Sequence, residues 1–196
     1  YRRFFDVPGL VGLHTEDPEV FDEVHALVLR LLAEGRLDGL RVDHPDGLRD
    51  PAAYFDRLRA ATGDAWVVAE KILAPDETLR ADWAVDGTTG YDFARLATGL
   101  FIDPAAEPAL TRLYADFTGQ AVDYAAVAYA GKQHIMHTSL AADVERLVAL
   151  FVEVCERHRR YRDYTRVDLR NAVREMLAAL PGYRTYVRAE TGDVAE

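Results

Sequence analysis

One unit of pattern occurs twice in this chain. Asp17-Pro18 and Asp50-Pro51 each join a helix-capping side chain to a proline suited to the first helical turn. After the first pair, Val20, Val24, Leu27, Val28 and Leu31 recur at helical spacing, and Gly35 stops the helix. The run 37–43 then predicts a strand. After the second pair come Tyr54, Phe55 and Leu58, with Gly63 as the stop, and the run 65–70 predicts a second strand. Helix–strand–helix–strand at this spacing implies parallel strands joined by helical crossovers. The class is α/β, either a doubly wound sheet or a (β/α)8 barrel. A third, weaker strand is expected near 83–88, followed by a helix from about Asp92.

The second half changes character. From about Glu107 to Leu180 the pattern is helical, with Val144, Leu147, Val148, Phe151, Val152 and Cys155 on one face. Thr165 and Asp168 have the spacing of a capping box. They open a helix carrying Leu169, Val173, Met176, Leu177 and Leu180, which Pro181-Gly182 ends. Residues 1–104 are therefore read as the α/β segment and 105–181 as a mainly helical insertion subdomain. In 182–196 the chain returns to a further strand at 183–187 and a polar tail. Seven arginines between Arg157 and Arg174 are expected to form a solvated face, with a partner surface as the minority alternative.

Composition narrows the function classes. The 196 residues carry a net charge of −10, which argues against general nucleic-acid binding. Arginine supplies 21 of the 23 basic residues, which suggests a GC-rich genome. No apolar run reaches the roughly 18 residues of a membrane span, and no secretory leader is expected. The lone cysteine, Cys155, excludes an internal disulfide and a cysteine-built zinc site. The cytoplasm is the expected compartment. Ser139 is the sole serine and lacks the G-x-S-x-G setting of a serine hydrolase.

The carboxylates that end strands are the candidates for chemistry. In parallel α/β folds, active sites gather at the C-terminal ends of strands. Asp43 closes the first predicted strand and Glu70 the second. Neighbouring strands lie about 4.8 Å apart. Two carboxyls at equal height would then approach the ~5–5.5 Å of a retaining glycosidase pair. Arg41 shares a face with Asp43 and would keep it ionised and oriented, as suits a nucleophile. Glu70 follows apolar Trp66, Val67 and Val68, a setting expected to favour its protonated form, as suits a general acid. The competing reading is that both are helix caps or surface ion pairs. In Asp43-His44-Pro45-Asp46-Gly47, His44 and Asp46 are weak metal candidates against a plain Pro-Asp-Gly turn. A third alternative has them bond a polar ligand beside Asp43. His134 and His137 lack a third ligand.

The run Gly39-Leu40-Arg41-Val42-Asp43-His44 resembles the α-amylase superfamily of (β/α)8 glycoside hydrolases. There, G-x-R-x-D ends the fourth barrel strand and carries the nucleophile, and the general acid ends the fifth strand, matching Glu70. Longer stretches are more specific. Tyr1-Arg2-Arg3-Phe4-Phe5, Arg41 to Leu48, Glu70-Lys71-Ile72-Leu73, Gly87-Thr88-Thr89-Gly90-Tyr91-Asp92 and Tyr183-Arg184-Thr185-Tyr186-Val187 resemble the maltooligosyl trehalose synthase family.

The resemblance implies part of a (β/α)8 TIM barrel, about strands four to seven, with a helical insertion. It implies Asp43, Glu70 and Arg41 as catalytic residues, and His44, Lys71, Tyr91 and Asp92 as substrate-binding residues. It implies an intramolecular transglucosylation that turns the reducing-end α-1,4 linkage of a maltooligosaccharide into an α,α-1,1 linkage by retaining double displacement. No metal or organic cofactor, nucleic acid or membrane is implied. The partners are the sugar and flanking parts of a longer parent chain. The early Asp/Asn/His motif is expected before Tyr1 and the third carboxylate beyond Glu196; Asp103 and Asp193 do not match its context. The chain alone is expected to be inactive. An amylase-type α-glucan hydrolase, or a non-catalytic piece that binds only carbohydrate or a neighbouring domain, are the alternatives.

Overall fold

The computed structural model describes residues 3–4, 7–120, 123–188 and 192. Tyr1, Arg2, Phe5 and nearly all of the polar tail, Asp193 included, lie outside the described residues. The chain divides into two units, 1–102 with 184–196, and 103–183.

The first unit opens with an antiparallel pair, β1 (Arg3–Phe4) and β2 (Val7–Val11). Helix α1 (Pro18–Ala33), strand β3 (Gly39–Val42), helix α2 (Pro51–Thr62) and strand β4 (Trp66–Ala69) follow. Strand β5 (Gly87–Thr88) and helix α3 (Tyr91–Gly99) complete it. Strands β3, β4 and β5 form a parallel sheet in that order. Both helix starts form as their sequence dictates. The Asp17 carboxylate accepts from the Glu19 N–H at 2.9 Å, and that of Asp50 from Ala53 at 3.0 Å, ahead of prolines in the first turn. Gly35 and Gly63 take positive φ where the chain leaves these helices.

Phe21, Ala52, Phe55, Leu58, Val67, Ala69 and Trp83 make the core between the helices and one sheet face. The face of α1 differs from the expected aliphatic stripe. Phe21 and His25 are buried, whereas Val24 and Leu27 are exposed. The His25 ring stacks on Phe21 at 4.0 Å, bonds the Phe21 carbonyl, and meets the Tyr54 hydroxyl at 2.8 Å. A satisfied imidazole is thus accepted in the interface with α2.

The third strand is shorter than 83–88. Trp83 turns into the core, and Asp86 takes the Val67 N–H with its carboxylate at 2.7 Å, the donor a longer strand would have paired. The expected strand at 183–187 does not form. Tyr186 sits at φ +45°, in the left-handed region that interrupts extended pairing, and this segment is held by side-chain bonds instead.

Gly39 fixes the approach of β3 to β4. A β-carbon there would lie 2.3 Å from the Trp66 carbonyl oxygen, a backbone atom that cannot swing away. We expect Gly39→Ala to cost about 1–3 kcal/mol through forced displacement. Urea unfolding checks this against Gly131→Ala, which adds a β-carbon inside the helix Tyr124–His137 with nothing within 4 Å and is expected not to destabilise. Equal midpoints for the two variants would refute the close approach.

The second unit holds α4 (Glu107–Thr118), α5 (Tyr124–His137), α6 (Ala141–Arg157) and α7 (Arg166–Ala179). Met136, Val144, Val148, Val173 and Ala178 form its core, with Leu147, Val152 and Leu169 packed against them. Phe151 and Met176, expected on the buried faces, are exposed. The capping box forms, with Thr165 and Asp168 bonding each other's backbone N–H. Arg170 grips the Glu145 carboxylate with two nitrogens, and Arg166 reaches it at 3.6 Å, so part of the arginine cluster joins α6 to α7. Among the described residues no helix is long and apolar enough to cross a membrane.

Candidate active site

The parallel register brings the strand ends level. Val42 pairs with Ala69, and Ala69 with Thr88. The Glu70 N–H donates to the Val42 carbonyl at 2.8 Å, and the Thr89 N–H to Ala69 at 3.0 Å, so the ladder continues one residue past each strand. Asp43 and Glu70 therefore leave adjacent strands at the same end of the sheet.

One guanidinium joins them. Arg41 Nη1 lies 2.6 Å from Asp43 Oδ1, and Nη2 lies 3.3 Å from Glu70 Oε1. Arg41 is two residues before Asp43, so the alternation of a strand puts both side chains on one face. The bond to Asp43 holds the guanidinium above its ordinary range, with Glu70 adding to it. The environments of the two carboxylates differ. Asp43 is 60% exposed and Glu70 only 24%. Glu70 is set among polar groups, in contrast to the apolar setting expected from residues 66–68. Its Oε2 accepts from the His44 N–H at 2.8 Å while Oε1 faces Arg41.

His44 reaches this position through a left-handed backbone, φ 45° and ψ 51°, immediately before the tight turn Pro45–Gly47. Gly47 admits its ring, because a β-carbon there would lie 2.6 Å from His44 Nδ1. Asp46, the second weak metal candidate, directs its carboxylate to Lys71 at 3.3 Å and to the Tyr186 hydroxyl. Lys71 is 3% exposed and also meets Glu77 at 2.9 Å. Burial opposes the charge of Lys71, but its bonds to Glu77 and Tyr186 and the charge of Asp46 outweigh that and hold the ammonium above the usual lysine range.

The motif after β5 is divided. Tyr91 is 46% exposed at the start of α3. Asp92 is engaged with its own turn: the Thr88 hydroxyl donates to it at 2.5 Å and holds it below the usual carboxylate range. His137 bonds the Gln133 carbonyl on its own helix. Among the described residues no three His, Cys, Asp or Glu side chains gather as metal ligands would.

A solvent-open carboxylate beside a more enclosed one, across a shared arginine, can attack a carbon and move a proton at the two ends of one breaking bond. Arg184, Tyr186 and Glu77 gather around Asp46 and Lys71; the first two lie in a stretch that reads as a family-like strand with no site role, and Glu77 is not marked at all by the sequence. Arg184 and Tyr186 are brought there by contacts across 138 and 140 residues, whereas Glu77 reaches back along its own loop to Lys71.

The comparisons bear on the same residues. No family model matches the chain. A curated Mycobacterium tuberculosis protein named as a maltooligosyl trehalose synthase is 45% identical over 148 residues, 75% of this chain. The solved maltooligosyltrehalose synthase of Arthrobacter ramosus is 37% identical, with a TM-score of 0.82 over 95% of this chain. A Sulfolobus tokodaii protein solved as a hypothetical maltooligosyl trehalose synthase is 32% identical, with a TM-score of 0.77 over 96% of this chain. The chain spans 19% of the length of the curated relative and 23% of each of these two solved chains.

Proposed function

We propose, on the premise that this chain is homologous to part of the maltooligosyl trehalose synthases, that Asp43 and Glu70 are the nucleophile and the acid–base group of an intramolecular transglucosylation. The observation that carries this reading is the Arg41 guanidinium bridging two carboxylates at level ends of adjacent parallel strands. In this reading β3, β4 and β5 are consecutive strands of a (β/α)8 barrel beginning at the fourth, and residues 105–181 are an insertion.

The substrate is a maltooligosaccharide with a free reducing end. Asp43 attacks the anomeric carbon of the penultimate glucose. The glycosidic carbon–oxygen bond breaks, and Glu70 gives its proton to the leaving oxygen. A covalent glycosyl–enzyme forms. The freed glucose turns in place, and its anomeric hydroxyl attacks the same carbon while Glu70 takes back a proton. Asp43 is released, and the product ends in an α,α-1,1 linkage. Arg41 holds Asp43 in place through a charge-assisted bond of 2.6 Å. In this reading His44 and Tyr91 bind sugar at the same end of the sheet. Lys71 acts through the loops it ties together, and Asp92 through the turn it closes with Thr88. Exclusion of water separates this isomerisation from hydrolysis.

Incubating the complete coding product with maltopentaose tests the proposal. A product of unchanged mass that has lost its reducing end is expected. Glucose and shorter maltodextrins as the main products would replace the synthase reading with a hydrolase.

A further inference from the structure

Behind the two carboxylates lies a buried polar cluster that the reaction does not use. Lys71 follows Glu70 in the chain and reaches Asp46, whose side chain is 10% exposed. The other Asp46 oxygen accepts from the Tyr186 hydroxyl, across 140 residues of sequence. The Tyr186 ring meets Trp83 edge-on at 5.7 Å, and the cationic groups of Lys71, Arg80 and Arg184 lie 5.5, 5.1 and 4.8 Å from its centre. Arg184 donates to the carbonyls of Asp46 and Leu48 at 2.6 Å each, and to that of Arg49 at 3.2 Å. Residues 184–186 thus strap down the loop 46–49 at its carbonyls and at the Asp46 carboxylate. The left-handed backbone of Tyr186 marks the same point, since such a conformation persists only where its surroundings hold it.

The links close a ring. The Glu70 carboxylate accepts from His44 N–H. Two residues on, Asp46 pairs with Lys71. Lys71 is peptide-bonded to Glu70. Asp43 lies outside this ring, its carboxylate held by Arg41. We propose that the strap is a positioning device for Glu70: Tyr186 and Arg184, acting through Asp46 and Lys71, set where the Glu70 carboxyl sits relative to the leaving oxygen. Buried charges of this kind add less stability than well-packed apolar groups would, which fits a role in geometry. The inference rests on the assignment of Glu70 as the acid–base group proposed above.

The test uses the complete coding product and two donors, maltopentaose and α-maltosyl fluoride. The fluoride leaves with little acid assistance. Tyr186→Phe removes one bond to Asp46. Asp46→Asn keeps the side-chain shape and weakens the link to Lys71. For each, kcat on maltopentaose is expected to fall about tenfold or more from misplacement of the acid. KM and the first turnover of the fluoride should stay within about twofold, because uniform binding and nucleophilic attack are untouched. If Tyr186→Phe does not fold, Asp46→Asn is read by the same comparison. The strap proposal is overturned if both donors slow by one factor, or neither slows, while Asp43→Asn and Glu70→Gln behave as assigned. If Asp43→Asn still turns over the fluoride, the assignment of the carboxylates fails, and the strap proposal with it.

Discussion

Asp43→Asn is expected to abolish both isomerisation and any slow hydrolysis by the complete coding product, a loss on the order of ten-thousandfold or more. The amide has no anionic oxygen to attack the anomeric carbon, so no glycosyl–enzyme forms from any donor. The fluoride donor should not rescue the variant, since the missing step is bond formation and not leaving-group departure. The fold should survive. Asp43 is 60% exposed, and Arg41, half exposed, keeps its contact with Glu70. Exposed ion pairs contribute little to stability. Far-UV circular dichroism and a thermal melt, measured beside the product assay, separate lost chemistry from lost structure. A variant that retained even a few per cent of product formation would exclude Asp43 as the nucleophile.

Glu70→Gln is expected to behave differently with the two donors. With maltopentaose the rate should fall by about 10²–10⁴, the usual contribution of a positioned proton donor. With α-maltosyl fluoride the first turnover should fall by less than about tenfold, because fluoride departs with little protonation. The glutamine oxygen can still accept from the His44 N–H, so the loop around the site should keep its place. Suppose Glu70→Gln silenced the fluoride's first turnover as fully as Asp43→Asn, with folding unchanged. The nucleophile and acid roles would then be wrongly assigned.

The pair at the strand ends was legible because a strand's alternation is a local rule and a helical crossover between two strands implies a parallel ladder. Arg41 and Asp43 are two residues apart and share a face, as they must. Glu70 ends the next strand, and only its height relative to Asp43 needed the register of β3 on β4. The polar surround of Glu70 was not legible. Trp66, Val67 and Val68 suggested an apolar setting, yet Trp66 is 63% exposed and the nearest groups to the carboxylate are Arg41 and the His44 N–H. That N–H points at Glu70 because His44 adopts a left-handed backbone, which a residue with a β-carbon seldom does and which sequence pattern does not announce.

The sequence by itself determined the helix starts at Asp17-Pro18, Asp50-Pro51 and Thr165, the stops at Gly35 and Gly63, and the alternation of helix and strand. The helix starts and stops depend on hydrogen bonds made within a few residues, and the alternation on apolar periodicity along the chain. The tertiary structure alone decided that α1 buries Phe21 and His25 in place of its aliphatic stripe, because Tyr54 supplies the partner that His25 needs. It alone decided that 183–187 is a strap and not a strand, and that Lys71 is a buried tie between loops and not an open side chain. Those outcomes turn on contacts such as Tyr186 with Asp46, 140 residues apart, whose energy comes from desolvated charges meeting across loops. No periodicity in the chain encodes such a meeting, so it becomes visible only when the segments are brought together.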